Sequence, residues 1–93
     1  MVYEKQFENA QVCVSRVEIM PQEEIELHYD VYPHVVIALK GGVITRLEAD
    51  GSITEVNFPT SKAVYSEAET ADKIHKSVNR QMNPIELITI QLK

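Results

Sequence analysis

Three histidines and one aspartate carry most of the metal-binding potential of this sequence. His28 and Asp30 are two residues apart, so a β-strand would direct both side chains to the same side. His34 follows a short proline-containing link that can turn the chain, so the next strand can present it to the same space. His75 lies far along the chain. Imidazole and carboxylate groups bind divalent transition metals, or they can simply hydrogen-bond to each other in a pocket.

Other reactive residue types lack a supporting context. No serine–histidine–acid set is evident. Cys13 has no activating neighbour in the sequence, so we expect it to be a small buried core residue. Arg16 and Arg46 could bind an anionic substrate, but arginines of this kind usually lie on solvated strand faces.

The segments that must position these residues have the pattern of short β-strands. In segment 24–30, Ile25 is at an odd position and His28 and Asp30 are at even positions. A regular strand would therefore place Ile25 on one face and both His28 and Asp30 on the other. Asp50-Gly51 predicts a hairpin between two β-branched runs. The predicted strand-forming segments are 10–21, 24–30, 34–42, 43–58, 61–67 and 74–93.

Together these segments give eight to nine strands, at the spacing of an all-β barrel or sandwich. Residues 68–73 have the one helix-like composition, and they are too few to form a stable helix without packing. There is no internal repeat, linker or second domain, so we expect one domain over residues 1–93.

Composition limits the partners. A net charge of -5 with scattered Lys and Arg argues against nucleic acid and favours a cationic ligand, which includes a metal ion. A single cysteine excludes an intrachain disulfide, and no segment resembles a signal peptide or membrane span. We therefore expect a cytoplasmic protein with no membrane partner. A core this small is often stabilised by oligomerisation, so we expect a homodimer.

The sequence resembles the cupins, a superfamily of RmlC-like jelly-roll barrels. Their first motif contains H-x-H, then a glutamate, then six residues and a glycine. Here "HYD" stands at H-x-H, His34 takes the glutamate's place, and Gly41 follows after six intervening residues. "HKSVN", residues 75–79, matches the end of the second motif. The resemblance covers about residues 12–92 and implies a small double-stranded β-helix, or jelly-roll, barrel.

The resemblance also implies a metal site inside the barrel, usually built from three histidines and one glutamate. The corresponding positions here are His28, Asp30, His34 and His75, with acid and imidazole exchanged between two of them. Such a set suits Fe(II), Mn(II), Ni(II), Cu(II) or Zn(II). The sequence departs from the family pattern at Pro21, where a glycine is usual nearby, and in the lost glycine of the second motif's turn.

Cupins include dioxygenases, isomerases and decarboxylases, so the resemblance implies a metal-dependent enzyme acting on a small polar metabolite. A non-catalytic metal- or metabolite-binding protein and a cupin with a decayed site are the alternatives. A narrower alternative is the H-x-D…H triad of non-haem iron oxygenases, formed by His28, Asp30 and His75. The arginine that would hold 2-oxoglutarate in such enzymes is absent, since position 85 is Ile.

Overall fold

The computed structural model describes residues 1–93 and consists almost entirely of β-strands, which confirms the predicted all-β class. One 3-10 helix, Ala71–Lys73, is the only helical segment, and no helix is long and apolar enough to cross a membrane. The nine strands are β1 (Val2–Glu8), β2 (Val12–Ile19), β3 (Glu24–His28), β4 (His34–Lys40), β5 (Gly42–Glu48), β6 (Ile53–Phe58), β7 (Ala63–Ser66), β8 (His75–Val78) and β9 (Ile85–Leu92).

The strands form two antiparallel sheets, one of five strands in the order β1-β2-β9-β4-β7 and one of four in the order β3-β8-β5-β6. Most connections pass from one sheet to the other, which is the winding of a jelly roll. The sheets face each other, so each strand directs alternate side chains into the space between them.

The apolar core lies between the sheets. Strand β2 alternates strictly between half-buried and buried residues, and its buried side is Cys13, Ser15, Val17 and Ile19. Cys13 is a buried free cysteine, as predicted. The core cluster consists of Val17, Ile19, Val36, Ala38, Ile44, Ile85 and Leu87.

Two segments differ from the sequence prediction. Strand β1 was not predicted, because all seven of its residues are exposed and mixed in polarity. It forms through backbone hydrogen bonds to the edge of β2 rather than through burial. The helix-like segment 68–73 gives only the three-residue 3-10 turn.

Two glycine turns are as predicted, for different physical reasons. Gly51 has a φ of 87° in the β5–β6 hairpin, a conformation that L side chains rarely adopt. Gly41 separates β4 from β5, where a Cβ atom would collide with the carbonyl of Phe58. The β4–β5 turn therefore needs glycine because there is no space for a side chain at Gly41, and not because of a positive φ.

Asn79, which directly follows β8, hydrogen-bonds to three backbone groups through its side chain. Its side chain is fully buried, and its Nδ2 donates to the carbonyls of Ile19 at 3.0 Å and Asn83 at 2.9 Å. Its Oδ1 accepts from the Gln81 N–H at 3.0 Å. One amide thus joins the end of β2 to the turn between β8 and β9.

Replacing Asn79 with Ala should lower the free energy of unfolding by about 2–4 kcal/mol, since three hydrogen bonds are lost and two carbonyls lose a buried donor. Urea unfolding followed by circular dichroism measures the change. Asn57→Ala, at an exposed position on β6, is the control and should change stability by less than about 0.5 kcal/mol. Equal effects of the two substitutions would contradict this account of Asn79.

Candidate metal centre

The pairing of β3 with β8 brings two histidines from distant parts of the chain together. His28 lies directly opposite His75, and their ring centroids are 4.5 Å apart. Asp30 lies two residues beyond the end of β3, with its Oδ1 3.9 Å from His28 Nε2. His28, Asp30 and His75 each offer a ligand atom, and these atoms all lie within 4.8 Å of one another. A single ion could contact all three.

His28 faces inward because the β3–β8 ladder is irregular. Ile25 pairs with Ser77 and His28 pairs with His75, so β3 advances three residues where β8 advances two. One extra residue in one strand of an antiparallel pair is a β-bulge. The simple alternation predicted from the sequence, with Ile25 and His28 on opposite faces, is therefore wrong. Both side chains line the same cavity, while Leu27 is 63% exposed.

Backbone carbonyls fix the His28 and His75 rings. His28 Nδ1 lies 2.7 Å from the carbonyl of Glu26, and His75 Nδ1 lies 3.0 Å from the carbonyl of Lys73. Arg46 Nη2 is also 2.9 Å from His75 Nδ1, but one ring nitrogen cannot donate to Lys73 and accept from Arg46 together.

Donation to Lys73 is favoured, because Arg46 keeps carboxylate acceptors without His75. Each ring then carries its proton on Nδ1 and leaves the Nε2 lone pair free, the usual state of metal-binding histidines. Together with the Asp30 carboxylate, this donor set fits a divalent transition metal.

The loop that contains Glu69 holds Asp30 in place. The Asp30 N–H donates to Glu69 Oε1 at 3.1 Å, and the Glu69 N–H donates to the Asp30 carbonyl at 2.7 Å. Arg46 in turn donates to the other Glu69 oxygen at 3.0 Å. Hydrogen bonds thus join three segments that are distant in sequence, and one of them contains the candidate ligand Asp30.

The Arg46–Glu69 pair is ionised. Burial of the Glu69 carboxyl acts to raise its pKa, but hydrogen bonds from the Asp30 N–H and from Arg46 hold that pKa below its ordinary value. Burial acts to lower the pKa of Arg46, and Glu69 and Glu48 raise it above its ordinary value. The pair therefore supports the site through fixed charges rather than through exchangeable protons.

His34, the other predicted ligand, begins β4 in the opposite sheet and lies outside the group of three. Its ring is half-buried, lines the same cavity, and has Nδ1 3.3 Å from the Tyr32 carbonyl. Arg46 also lines this cavity rather than a solvated strand face. Glu69 was not identified from the sequence, because it lies in a loop with no periodic pattern that would relate it to Asp30.

The cavity encloses about 500 Å³ between the two sheets. At one end it is lined by the two paired histidines, Asp30 and His34. The rest of the lining is mainly apolar, with Val17, Val36, Ile44, Val56, Phe58 and Leu87. We refer to the first set as the mouth and to the six apolar residues as the floor.

Comparisons with known proteins identify the fold. No protein-family model matches the chain, and no curated protein of similar sequence is found. A cupin domain from Bordetella pertussis Tohama I aligns with 99% of this chain and 92% of its own, with a TM-score of 0.87 and 16% identity.

Two further solved structures have the same fold. An RmlC-like cupin with a double-stranded β-helix fold from Methanocaldococcus jannaschii aligns with 98% of this chain and 78% of its own, with a TM-score of 0.72 and 17% identity. The polyketide cyclase RemF from Streptomyces resistomycificus aligns with 97% of this chain and 63% of its own, with a TM-score of 0.69 and 15% identity. The chain has the double-stranded β-helix fold predicted for it.

Glu69→Ala should release the Asp30 segment. The loss of one charge-assisted hydrogen bond is worth about 1.5–3 kcal/mol, so exchange of the Asp30 amide hydrogen should rise by about tenfold or more. Hydrogen–deuterium exchange followed by NMR measures the exchange rate of the Asp30 amide. Glu67→Ala is the matched control, because the Glu67 carboxylate accepts only from the exposed Tyr65 hydroxyl. If the two variants exchange at the same rate, Glu69 does not hold this segment.

Proposed function

We propose that this chain, which has the cupin fold, binds one divalent transition-metal ion through His28, Asp30 and His75 and acts as a metal-dependent enzyme on a small molecule held in the cavity. The observation that carries the proposal is the gathering of three potential ligand atoms, all within 4.8 Å of one another, at the mouth of that cavity. Fe(II), Mn(II), Ni(II), Cu(II) and Zn(II) are the candidate ions.

The number of protein ligands favours an enzyme over a purely structural site. Structural metal sites are usually closed by four protein ligands, whereas catalytic sites keep a position open beside three. A bound ion would supply a Lewis acid, or a centre for oxygen chemistry, to a molecule in the cavity. The chain itself orients the two imidazoles through Glu26 and Lys73 and holds Asp30 through Glu69.

His34 stays a predicted fourth ligand. Because it faces the three ligands across the cavity, it is also suited to contact a bound molecule. The two roles differ in one measurable respect: a ligand raises metal affinity in the absence of any organic molecule, and a substrate-binding group does not.

Among the neighbours in fold, RemF is named a polyketide cyclase, which supports a small-molecule enzyme as one use of this barrel. Use of 2-oxoglutarate is disfavoured, because Arg46 is the one Lys or Arg side chain lining the cavity and it already binds Glu48 and Glu69. The alternatives are a non-catalytic binding protein and a cupin with a decayed site. Metal binding without turnover of any substrate would favour the first, and no metal binding would favour the second.

His75→Ala should weaken metal binding by at least about a hundredfold, since even the loss of a residue that only supports a ligand costs about 10–100-fold. Calorimetric titration of the purified, untagged chain with the five ions measures the affinity and stoichiometry. Lys76→Ala, the neighbouring β8 residue that pairs with Glu24, is the control and should bind as the parent does.

About one ion per parent chain, lost in His75→Ala, is the expected result. Equal binding by parent and His75→Ala would contradict the proposed centre. His34→Ala in the same titration decides the role of His34: a clear loss of affinity makes it the fourth ligand, and unchanged affinity leaves it facing the bound molecule.

We also propose that the chain is a homodimer located in the cytoplasm, without nucleic-acid or membrane partners. An apolar row across the outer face of the five-stranded sheet supports the dimer: Phe7, Val14, Ile90, Val35 and Tyr65 lie opposite one another on β1, β2, β9, β4 and β7. The row crosses four spacings between strands, about 19 Å at about 4.8 Å each. A second copy packed face to face would remove this row from water.

Ile90→Glu should convert the dimer to a monomer, because it places a charge in the middle of the apolar row. Sedimentation velocity measures the mass, and circular dichroism verifies the fold. Ile53→Glu makes the same change at a 59% exposed position on β6 in the other sheet and should leave the dimer intact. A monomeric parent chain, or a dimer that survives Ile90→Glu, would contradict the proposed interface.

A further inference from the structure

The cavity differs in chemistry from one end to the other. The strand register places His34, Gln91 and Ser66 in one row across the five-stranded sheet and pairs Val17 and Ala38 with Leu87 farther along. In the other sheet His28 and His75 form a pair at one end, whereas Ile44 and Val56 pair farther along β5 and β6. Between these ends Thr89 lies opposite Val36, and Ser77 lies opposite Arg46. Polar groups are therefore concentrated at the mouth and in this middle row, and the floor beyond them offers almost only hydrocarbon.

Apart from Thr89, which lies opposite Val36, the floor has no polar side chain that could replace water around a hydrophilic ligand. Its six residues are valine, isoleucine, leucine and phenylalanine, and they offer no side-chain hydrogen-bond donor or acceptor. Burying a hydroxyl or a charge against such a surface without a partner is unfavourable. A ligand that fills this part of the cavity must present an apolar surface to it.

The protein's own cations near the mouth are all paired. Arg46 donates to Glu48 at 3.1 Å and to Glu69 at 3.0 Å, and the N-terminal ammonium pairs with Glu23. Asp30, Glu67 and Glu69 add negative charge to the lining. A phosphate or carboxylate at the mouth would therefore depend on the metal ion of the proposed centre, because binding to Arg46 would displace Glu69 and release the Asp30 segment.

We infer that the molecule held in the cavity is mainly hydrocarbon and carries its polar oxygen group at one end. This inference rests on the proposed function, in which the oxygen faces the metal centre and the hydrocarbon body rests on the floor. It narrows the expected small polar metabolite to a molecule whose polarity is confined to one end. The volume of about 500 Å³ lies within the range of small-molecule sites.

The test compares two probes on the zinc-loaded full chain by calorimetric titration. Naphthol has the inferred form, and glycerol has hydroxyls without an apolar body. Naphthol should bind at least about tenfold more tightly than glycerol, because it alone buries apolar surface against the floor. Equal or tighter binding of glycerol would overturn the inference.

Two variants locate the bound probe. Val56→Trp fills part of the floor from β6, an edge strand that tolerates change, and should lower naphthol affinity by at least about tenfold with zinc affinity unchanged. Val56→Thr keeps the side-chain volume and adds a hydroxyl, so it should lower naphthol affinity by a smaller factor. Unchanged naphthol affinity in both variants would show that naphthol binds elsewhere and would overturn the inference.

Failure of the inference is distinguishable from failure of the proposed function. Zinc titration without a probe reports on the metal centre alone. A chain that binds zinc but ranks the probes in another order contradicts only the inferred ligand. A chain that binds no metal contradicts the proposed function, and the ranking of the probes on that metal-free chain still decides the inference.

Discussion

The pairing of β3 with β8 is the constraint on which the candidate site depends. These strands meet over a short ladder, and the extra residue in β3 turns His28 to the side occupied by Ile25 and His75. Without that bulge, His28 would face outward with Glu24 and Glu26, and no pair of imidazoles would exist. β-bulges are frequent next to active sites because they re-aim a side chain while the ladder continues on both sides.

Contacts outside the β3–β8 ladder stabilise the position of Asp30 and of strand β8. Glu69 ties the Asp30 segment to Arg46, and Arg46 reaches it from β5. At the opposite end of β8, Asn79 fixes the strand to β2 and to the turn before β9. Strand β8 is thus fixed at its Asn79 end, and His75 is a buried candidate ligand whose Nδ1 lies against the Lys73 carbonyl. Asp30, in contrast, lies on a loop held mainly by the Glu69 carboxylate.

Sequence patterns were sufficient for the fold where local chemistry specifies it. The hairpin at Asp50-Gly51, the turn at Gly41 and the alternation of β2 all follow from residue types and spacing. Strand β1 could not be predicted, because its edge pairing depends on backbone groups rather than on a buried face.

For the site, residue types indicated His28, Asp30 and His75, and the structure brings these three together. Their orientation could not be predicted, because the bulge that turns His28 inward leaves no mark on the two-residue period. The supporting role of Glu69 depends on contacts between loops 39 positions apart in the chain, which no local pattern encodes.

The most direct test of the central claim is anomalous X-ray diffraction from crystals of the untagged chain soaked in Mn(II), Fe(II) or Zn(II). We predict one strong anomalous peak per chain, with Nε2 of His28, Nε2 of His75 and an Asp30 carboxylate oxygen each about 2.0–2.2 Å from it, as in zinc sites. An anomalous map with no peak at the mouth of the cavity, or with its peak on other residues, would contradict the account.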